Sequence, residues 1–121
     1  MSKRILVVED TEDNRQIIRD LLSSVGYELI EAADGAEGVA MAQSQHPDLI
    51  LMDIQLPQMD GYEATRRIRI PELAGVPIIA VTSYALSGDE AKTREAGCDG
   101  YVAKPFSPRQ LLAKVREFLP Q

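Results

Sequence analysis

The feature of this sequence that most limits its fold is a regular alternation between two kinds of apolar pattern. Short runs rich in Ile, Val and Leu predict five β-strands, which are Ile5–Val8, Glu28–Ala32, Leu49–Met52, Ile78–Thr82 and Tyr101–Ala103. A stretch with helical character follows each run, so five helical segments are predicted as well. This alternation predicts an α/β domain in which helices cover both faces of a parallel sheet.

Two of the helices carry informative local signals. Ser107 and Gln110 have the spacing of a capping box at the start of the last helix. The fourth helix, roughly residues 88–96, is polar and has few large apolar side chains. We therefore expect it to pack loosely and expect the loop before it, residues 83–87, to be mobile.

Length and composition exclude several classes of protein. A chain of 121 residues has the size of one domain, and its connections are short, so we expect a single domain over residues 1–121. The net charge of −6 argues against binding to nucleic acid or to an anionic membrane surface. One cysteine, Cys98, and one histidine, His46, exclude a disulfide framework and multi-histidine metal sites, and they make a Ser-His-Asp triad improbable.

The same features predict where the protein works. The longest apolar runs are far too short to span a membrane, and the N-terminus lacks the apolar core of a secretory signal. The low cysteine count is typical of a reducing compartment. We therefore expect a cytoplasmic protein.

Polar side chains gather where the predicted strands end. Glu9 and Asp10 follow the first strand, Asp53 follows the third, Thr82 ends the fourth and Lys104 follows the fifth. Open α/β sheets bind ligands beyond the carboxyl ends of their strands. Three carboxylates at one edge remain ionised together only with a cation among them, and an all-oxygen site selects Mg²⁺ before Mn²⁺ or Ca²⁺.

A lysine and a hydroxyl beside such a site suit phosphoryl oxygens, so the arrangement predicts phosphoryl transfer onto an aspartate. Each residue also has an ordinary structural alternative. Glu9 and Asp10 could form a solvated loop or a helix cap, and Asp53 could form an Asx turn. Thr82 could be a plain strand residue and Lys104 a surface lysine. Their common location favours the functional interpretation.

Five motifs in order make the sequence resemble the receiver domain of bacterial two-component response regulators. They are Ile-Leu-Val-Val-Glu-Asp at 5–10, Pro-Asp-Leu-Ile-Leu-Met-Asp-Ile at 47–54, Leu-Pro-Gln-Met-Asp-Gly at 56–61, Ala-Val-Thr-Ser at 80–83 and Ala-Gly-Cys-Asp-Gly-Tyr-Val-Ala-Lys-Pro-Phe at 96–106. The resemblance extends from Arg4 to Leu119. Stand-alone receivers and the receivers of hybrid sensor kinases look most similar.

The resemblance implies a flavodoxin-like, doubly wound sheet of five parallel strands in the order 2-1-3-4-5, with five helices. It also implies a phosphoacceptor, Asp53, and a Mg²⁺ site. Asp10, Asp53 and the backbone carbonyl of Gln55 would be the metal ligands, with Glu9 acting through water. Lys104 would pair with the phosphoryl group.

The resemblance further assigns the parts of a switch. Thr82 would move towards the phosphoryl group and Tyr101 would rotate inward behind it. Gln55 and Tyr84 would border the route of the hydrolytic water and set the lifetime of the phosphorylated state. The bond between Lys104 and Pro105 would be cis.

The implied partners are proteins. A histidine kinase or a histidine phosphotransfer protein would supply the phosphoryl group, and the surface of helix 4, strand 5 and helix 5 would bind an unidentified target. The protein would be a monomer or a phosphorylation-dependent dimer. For the kinase contact on helix 1 we expect exposed Asn14, Arg15 and Ile18, with Ile17 and Leu21 in the core.

Alternative functions stay open at this point. The chain could be a receiver taken from a hybrid kinase or a larger regulator, although Met1 just before the domain mildly favours a stand-alone protein without an output domain. A Mg²⁺-dependent aspartyl-phosphate phosphohydrolase is less favoured, because Gln55 stands where such enzymes need an acid. A third alternative is a phosphorylation-independent interaction domain. We expect a signalling protein that assists only its own phosphorylation and dephosphorylation.

Overall fold

The computed structural model describes residues 3–82, 89–104 and 106–120, with side chains left out at 89 and 90. Strands and helices alternate along the chain. The elements are β1 (Arg4–Val8), α1 (Glu12–Ser24), β2 (Glu28–Ala32), α2 (Gly35–Gln45), β3 (Leu49–Asp53), α3 (Gly61–Ile68), a 3-10 helix (Pro71–Leu73), β4 (Ile78–Thr82), α4 (Asp89–Ala96), β5 (Gly100–Ala103) and α5 (Pro108–Phe118).

All strand pairs are parallel, and the sheet order is β2-β1-β3-β4-β5. The predicted fold class and strand order are therefore confirmed. Strands β1, β3 and β4 occupy the middle of the sheet, and β3 and β4 are buried along their whole length. This burial explains why these strands read as unbroken apolar runs.

Two apolar layers pack on the sheet because successive strand residues point to opposite faces. Leu6, Ile50 and Ile78 face α2 and α3, whereas Ile5, Leu49 and Ile79 face α1 and α5. Helix α4 contacts α3 and β5. Among the described side chains of α4, at residues 91–96, the two small ones of Thr93 and Ala96 are buried, which agrees with its polar sequence.

Helix α5 begins with the predicted capping box. The Ser107 side chain accepts a hydrogen bond from the Gln110 amide, and the Gln110 side chain accepts one from the Ser107 amide. The predicted mobile loop at residues 83–87 lies outside the described residues. Among the described residues, no helix combines the length and the apolar character that crossing a membrane requires.

The predicted burial of α1 was wrong at one pair of residues. Ile18 is 2% exposed and faces the core with Leu22, whereas Ile17 is 54% exposed. Both isoleucines satisfy helical spacing with a later leucine, but each residue of a helix is rotated by about 100° from the one before it. The burial of Ile18 and Leu22 therefore places Ile17 on the solvent side.

Candidate functional site

The carboxyl ends of four strands meet at one edge of the sheet. Glu9 directly follows β1, Asp53 ends β3, Thr82 ends β4 and Lys104 directly follows β5. Parallel pairing keeps these ends level: Asp53 is in register with Val81, one residue before Thr82. The topology thus brings together four of the side chains that the sequence placed at strand ends.

Asp53 is a buried acid of the site, held by contacts to both of its carboxylate oxygens. It is 3% exposed, its Oδ1 atom accepts a hydrogen bond from the Gln55 amide at 2.9 Å, and its Oδ2 atom lies 3.1 Å from Lys104 Nζ. The backbone around it is fixed by the N-terminus of α3. A Cβ atom at Gly61 would overlap the Asp53 carbonyl oxygen and the Ile54 Cα atom, so this approach requires glycine.

Lys104 supplies the positive charge of the site. Its Nζ atom contacts Asp53 Oδ2 at 3.1 Å and Glu9 Oε2 at 3.4 Å, and its backbone amide donates to the Thr82 carbonyl at 2.7 Å. Partial burial lowers the pKa of the Lys104 ammonium, but the charges of Asp53 and Glu9 outweigh this effect and raise the pKa above its usual value. The ammonium is therefore fully charged at neutral pH.

Glu9, Asp10 and Asp53 each place a carboxylate oxygen within 4.8 Å of the others. Glu9 is 2% exposed, and both of its oxygens are engaged: Oε1 accepts from the Thr11 amide and the Asn14 side chain, and Oε2 contacts Lys104. Asp10 is exposed. No hydrogen bond to its carboxylate is found among residues 3–82, 89–104 and 106–120.

The charges of this cluster do not balance. Three carboxylates face one ammonium, so two negative charges lack a cationic partner within the group of four side chains. Like charges at such distances repel, and a bound cation removes the repulsion. The donor atoms are all oxygen, which is the ligand set preferred by Mg²⁺. The residues present therefore fit a hard divalent cation.

Three other predicted site residues are among the described residues. Thr82 is fully buried at the end of β4, and Gln55 is exposed just beyond β3. Tyr101 lies on β5 in register with Ala80, where it lines a cavity of about 470 Å³ between β5 and α5. The predicted roles of Tyr84 and Pro105 fall outside the described residues.

Sequence reasoning missed one residue of the site. Arg15 was expected to be exposed, but its side chain is only 14% exposed and its Nη1 atom donates to the Glu9 carbonyl oxygen at 2.6 Å. Charge spacing could have predicted its ion pair with Glu12 at i,i+3. The bond to Glu9 left no signal in the sequence, because every residue has a backbone carbonyl.

Comparison with known proteins agrees with this geometry. Residues 5–116 match the family model of the response regulator receiver domain. The polar-differentiation response regulator DivK of Brucella ovis is 42% identical over 120 residues, which cover 98% of each chain. Both the family model and this relative therefore match nearly the whole chain.

Solved structures give the same result. One similar structure is the receiver domain of a sensor histidine kinase from Pseudomonas aeruginosa, which has a magnesium ion coordinated in its active-site cleft. It is 41% identical to this chain with a TM-score of 0.91, and the match covers all of both chains. Chemotaxis protein CheY4 of Vibrio cholerae is 30% identical with a TM-score of 0.92, covering 98% of this chain and 99% of that one. The chain belongs to the response regulator receiver domain family.

Proposed function

We propose that this chain is a phosphoacceptor switch of a two-component system, in which Asp53 receives a phosphoryl group and an altered surface then binds another protein. The observation that carries the proposal is the buried Asp53 carboxylate, paired with Lys104 at 3.1 Å beside two further carboxylates. A structural ion pair would need one acid for one base. The surplus of acids is what a bound cation requires, and that cation, with Lys104, would offset the negative charge of a phosphoryl group.

The phosphoryl donor is a phosphohistidine on a histidine kinase or on a histidine phosphotransfer protein. An oxygen of Asp53 attacks phosphorus, the new P–O bond forms, and the P–N bond to the imidazole breaks. The Lys104 ammonium stabilises the charge that spreads over the phosphoryl oxygens. Water later attacks phosphorus and releases inorganic phosphate, which restores the Asp53 carboxylate. The protein thus assists its own phosphorylation and dephosphorylation and has no other substrate.

The acidic cluster would hold Mg²⁺, with Mn²⁺ as the second choice. Asp10, Asp53 and the Gln55 backbone carbonyl are the proposed ligands, and Glu9 would contribute through water, as the resemblance to receiver domains implies. When bound, the cation neutralises phosphoryl oxygens and orients them for in-line attack. Asp10 is the acid best placed to bind a cation directly, since it is exposed.

Phosphorylation would shift an equilibrium between two conformations. The phosphoryl group adds roughly −1.5 to −2 charges and new acceptor oxygens, and the Thr82 hydroxyl would donate to these oxygens only in the phosphorylated state. Tyr101 would follow Thr82 inward from the cavity at β5 and alter the surface of α4, β5 and α5. Gln55 and Tyr84 would set the lifetime of the phosphorylated state, and a cis bond before Pro105 would orient Lys104.

Other parts of the proposal concern organisation and partners. Residues 1–121 would form one receiver domain, acting either alone or as the receiver of a hybrid kinase, since relatives of both kinds match at similar identity. The output would be protein binding, without direct contact to nucleic acid or membrane, by a monomer or a phosphorylation-dependent dimer. Its cytoplasmic location stays a prediction.

The proposal is tested by measuring the intact mass after incubation with acetyl phosphate and Mg²⁺. We expect the wild type to gain one phosphoryl group, a chelator to prevent the gain, and Asp53→Asn to gain none. Asp34→Asn is the matched control, because Asp34 is the half-buried N-cap aspartate of α2, lies outside the acidic cluster and should leave phosphorylation unchanged. A wild type that remains unmodified by both acetyl phosphate and a phosphorylated histidine phosphotransfer protein would contradict the proposal.

A further inference from the structure

Asp10 has an exposed carboxylate whose place must be fixed through its backbone. The adjoining Glu9 amide donates to the Ala32 carbonyl at the end of β2, and the Thr11 amide donates to Glu9 Oε1 at 3.2 Å. Another polar group of this short segment is the Glu9 carbonyl, which belongs to the peptide unit that leads into Asp10. Arg15 donates to it at 2.6 Å.

The Arg15 guanidinium is itself held from two sides. Its Nη2 atom lies 2.5 Å from Glu12 Oε2 on α1, and its Nε atom lies 3.4 Å from Glu31 Oε1 on β2. Hydrogen bonds from Arg15 and then from Arg19 lower the pKa of Glu12, so this carboxylate stays ionised. The planar Arg15 guanidinium therefore connects β2, α1 and the peptide before Asp10. Arginine suits this role because its several N–H donors have a fixed planar geometry.

We propose that Arg15 is a positioning residue for the acidic cluster: it fixes the peptide between Glu9 and Asp10 and thereby holds the Asp10 carboxylate beside Asp53. This inference rests on the proposed function, in which that cluster binds Mg²⁺. Groups that orient metal ligands typically change metal affinity by about 10- to 100-fold when they are removed.

Arg19 provides a matched control on the same helix. It pairs with the same two acids, Glu31 at 2.6 Å and Glu12 at 3.2 Å, but no bond to Glu9 is among its contacts with the described part of the chain. Arg15→Met and Arg19→Met remove the same charge and loosen the same acids. They differ in the loss of the bond to the Glu9 carbonyl.

An effect of charge and an effect of positioning predict opposite changes in the Mg²⁺ affinity of Arg15→Met. Removing a positive charge near a cation site reduces repulsion, so charge alone predicts tighter Mg²⁺ binding in Arg15→Met. Positioning predicts weaker binding, by about tenfold. Arg15→Lys keeps the charge with a different donor geometry, so we expect affinity about threefold weaker than wild type from geometry alone.

Amide NMR spectra test the inference in one experiment. Each protein is titrated with MgCl₂, and amide exchange at Thr11 is measured without metal. We expect Arg15→Met to bind Mg²⁺ about tenfold more weakly and to exchange the Thr11 amide faster, while Arg19→Met stays within about twofold of wild type in both measurements. If Arg15→Met does not fold, Arg15→Lys is compared with Arg19→Met instead.

The outcomes separate this inference from the function on which it rests. A wild type that binds no Mg²⁺ overturns the proposed function and the ligand-positioning role together. A wild type that binds Mg²⁺ beside an Arg15→Met variant of equal or higher affinity overturns only the role of Arg15. Equal loss in Arg15→Met and Arg19→Met also overturns it, because the shared ion pairs would then explain the effect.

Discussion

Charged side chains form two clusters at opposite ends of the sheet, and they differ in how fully they are paired. At the amino end of β4 and β5, Arg69 donates to the carbonyls of Gly97 and Val76 and to the Asp99 carboxylate at 2.6 Å. The same Asp99 oxygen accepts from the Ile78 amide. At the carboxyl end, Lys104 pairs with Glu9 and Asp53, and within the described residues this one ammonium stands beside a cluster of three carboxylates.

The difference separates a structural cluster from a functional one. In the amino-end cluster one base meets one acid, and the remaining guanidinium hydrogens go to backbone carbonyls of the turns before β4 and β5. Such full pairing stabilises a fold and leaves nothing for a ligand. The carboxyl-end cluster keeps a surplus of negative charge, which costs stability and supplies binding capacity.

Replacing Arg69 should produce the largest effect on stability. Arg69→Met removes every bond that Arg69 makes in the amino-end cluster and leaves several carbonyls and the Asp99 carboxylate without this partner. We expect the free energy of unfolding to fall by about 3 kcal/mol. Urea unfolding followed by circular dichroism measures the change.

Arg67→Met is the control, because Arg67 is 56% exposed near the end of α3, two residues before Arg69, and pairs loosely with Glu63 at 3.5 Å. Its cost should stay below about 0.5 kcal/mol. Folded Arg69→Met should still take a phosphoryl group from acetyl phosphate at the rate of the wild type. Loss of phosphorylation in a folded Arg69→Met protein would break the division between the two clusters.

The same substitution at the two ends should change stability in opposite directions. Asp53→Asn relieves repulsion among the acids, so without Mg²⁺ we expect it to stabilise the protein by about 1 kcal/mol. Asp99→Asn weakens a charged hydrogen bond to Arg69 and should destabilise by about 1 kcal/mol. Thermal unfolding of both variants measures the two signs.

Added Mg²⁺ sharpens this pair of measurements. Ligand binding stabilises the folded state by mass action, so Mg²⁺ should raise the Tm of wild type and Asp99→Asn more than that of Asp53→Asn. Two variants that lose stability equally, with equal responses to Mg²⁺, would mean that the carboxyl-end cluster is an ordinary structural ion pair.

Most of the fold could be predicted from the sequence because its signals are local. The strands are short apolar runs, and the capping box at Ser107 needs only two residues at fixed spacing. The gathering of Glu9, Asp53 and Lys104 also followed, since parallel strands place their carboxyl ends at one edge. Here a short-range pattern and a topological rule are sufficient.

The remainder depends on contacts between distant residues. Arg69 and Asp99 are 30 residues apart, and most acceptors of Arg69 are backbone carbonyls that sequence does not distinguish. The same holds for the bond from Arg15 to the Glu9 carbonyl. The burial of Ile18 instead of Ile17 depended on helix rotation, which two adjacent isoleucines leave undetermined.

Alkaline pH should produce the smallest effect, confined to the carboxyl-end cluster. The pKa of Lys104 is raised from 10.5, because Asp53 and Glu9 outweigh the opposing effect of partial burial. A raised pKa in the folded state means that the Lys104 pairing contributes its full stability below about pH 10.5 and loses it as pH rises through the folded value.

We therefore expect Lys104→Gln to be less stable than wild type by about 1 kcal/mol at pH 8, with the gap closing at strongly alkaline pH. Urea unfolding of both proteins across this range measures the gap, and the difference cancels titrations common to both. A gap that widens with pH would mean that burial, not the two carboxylates, dominates the lysine, and the contrast with the fully paired Arg69 cluster would lose its electrostatic basis.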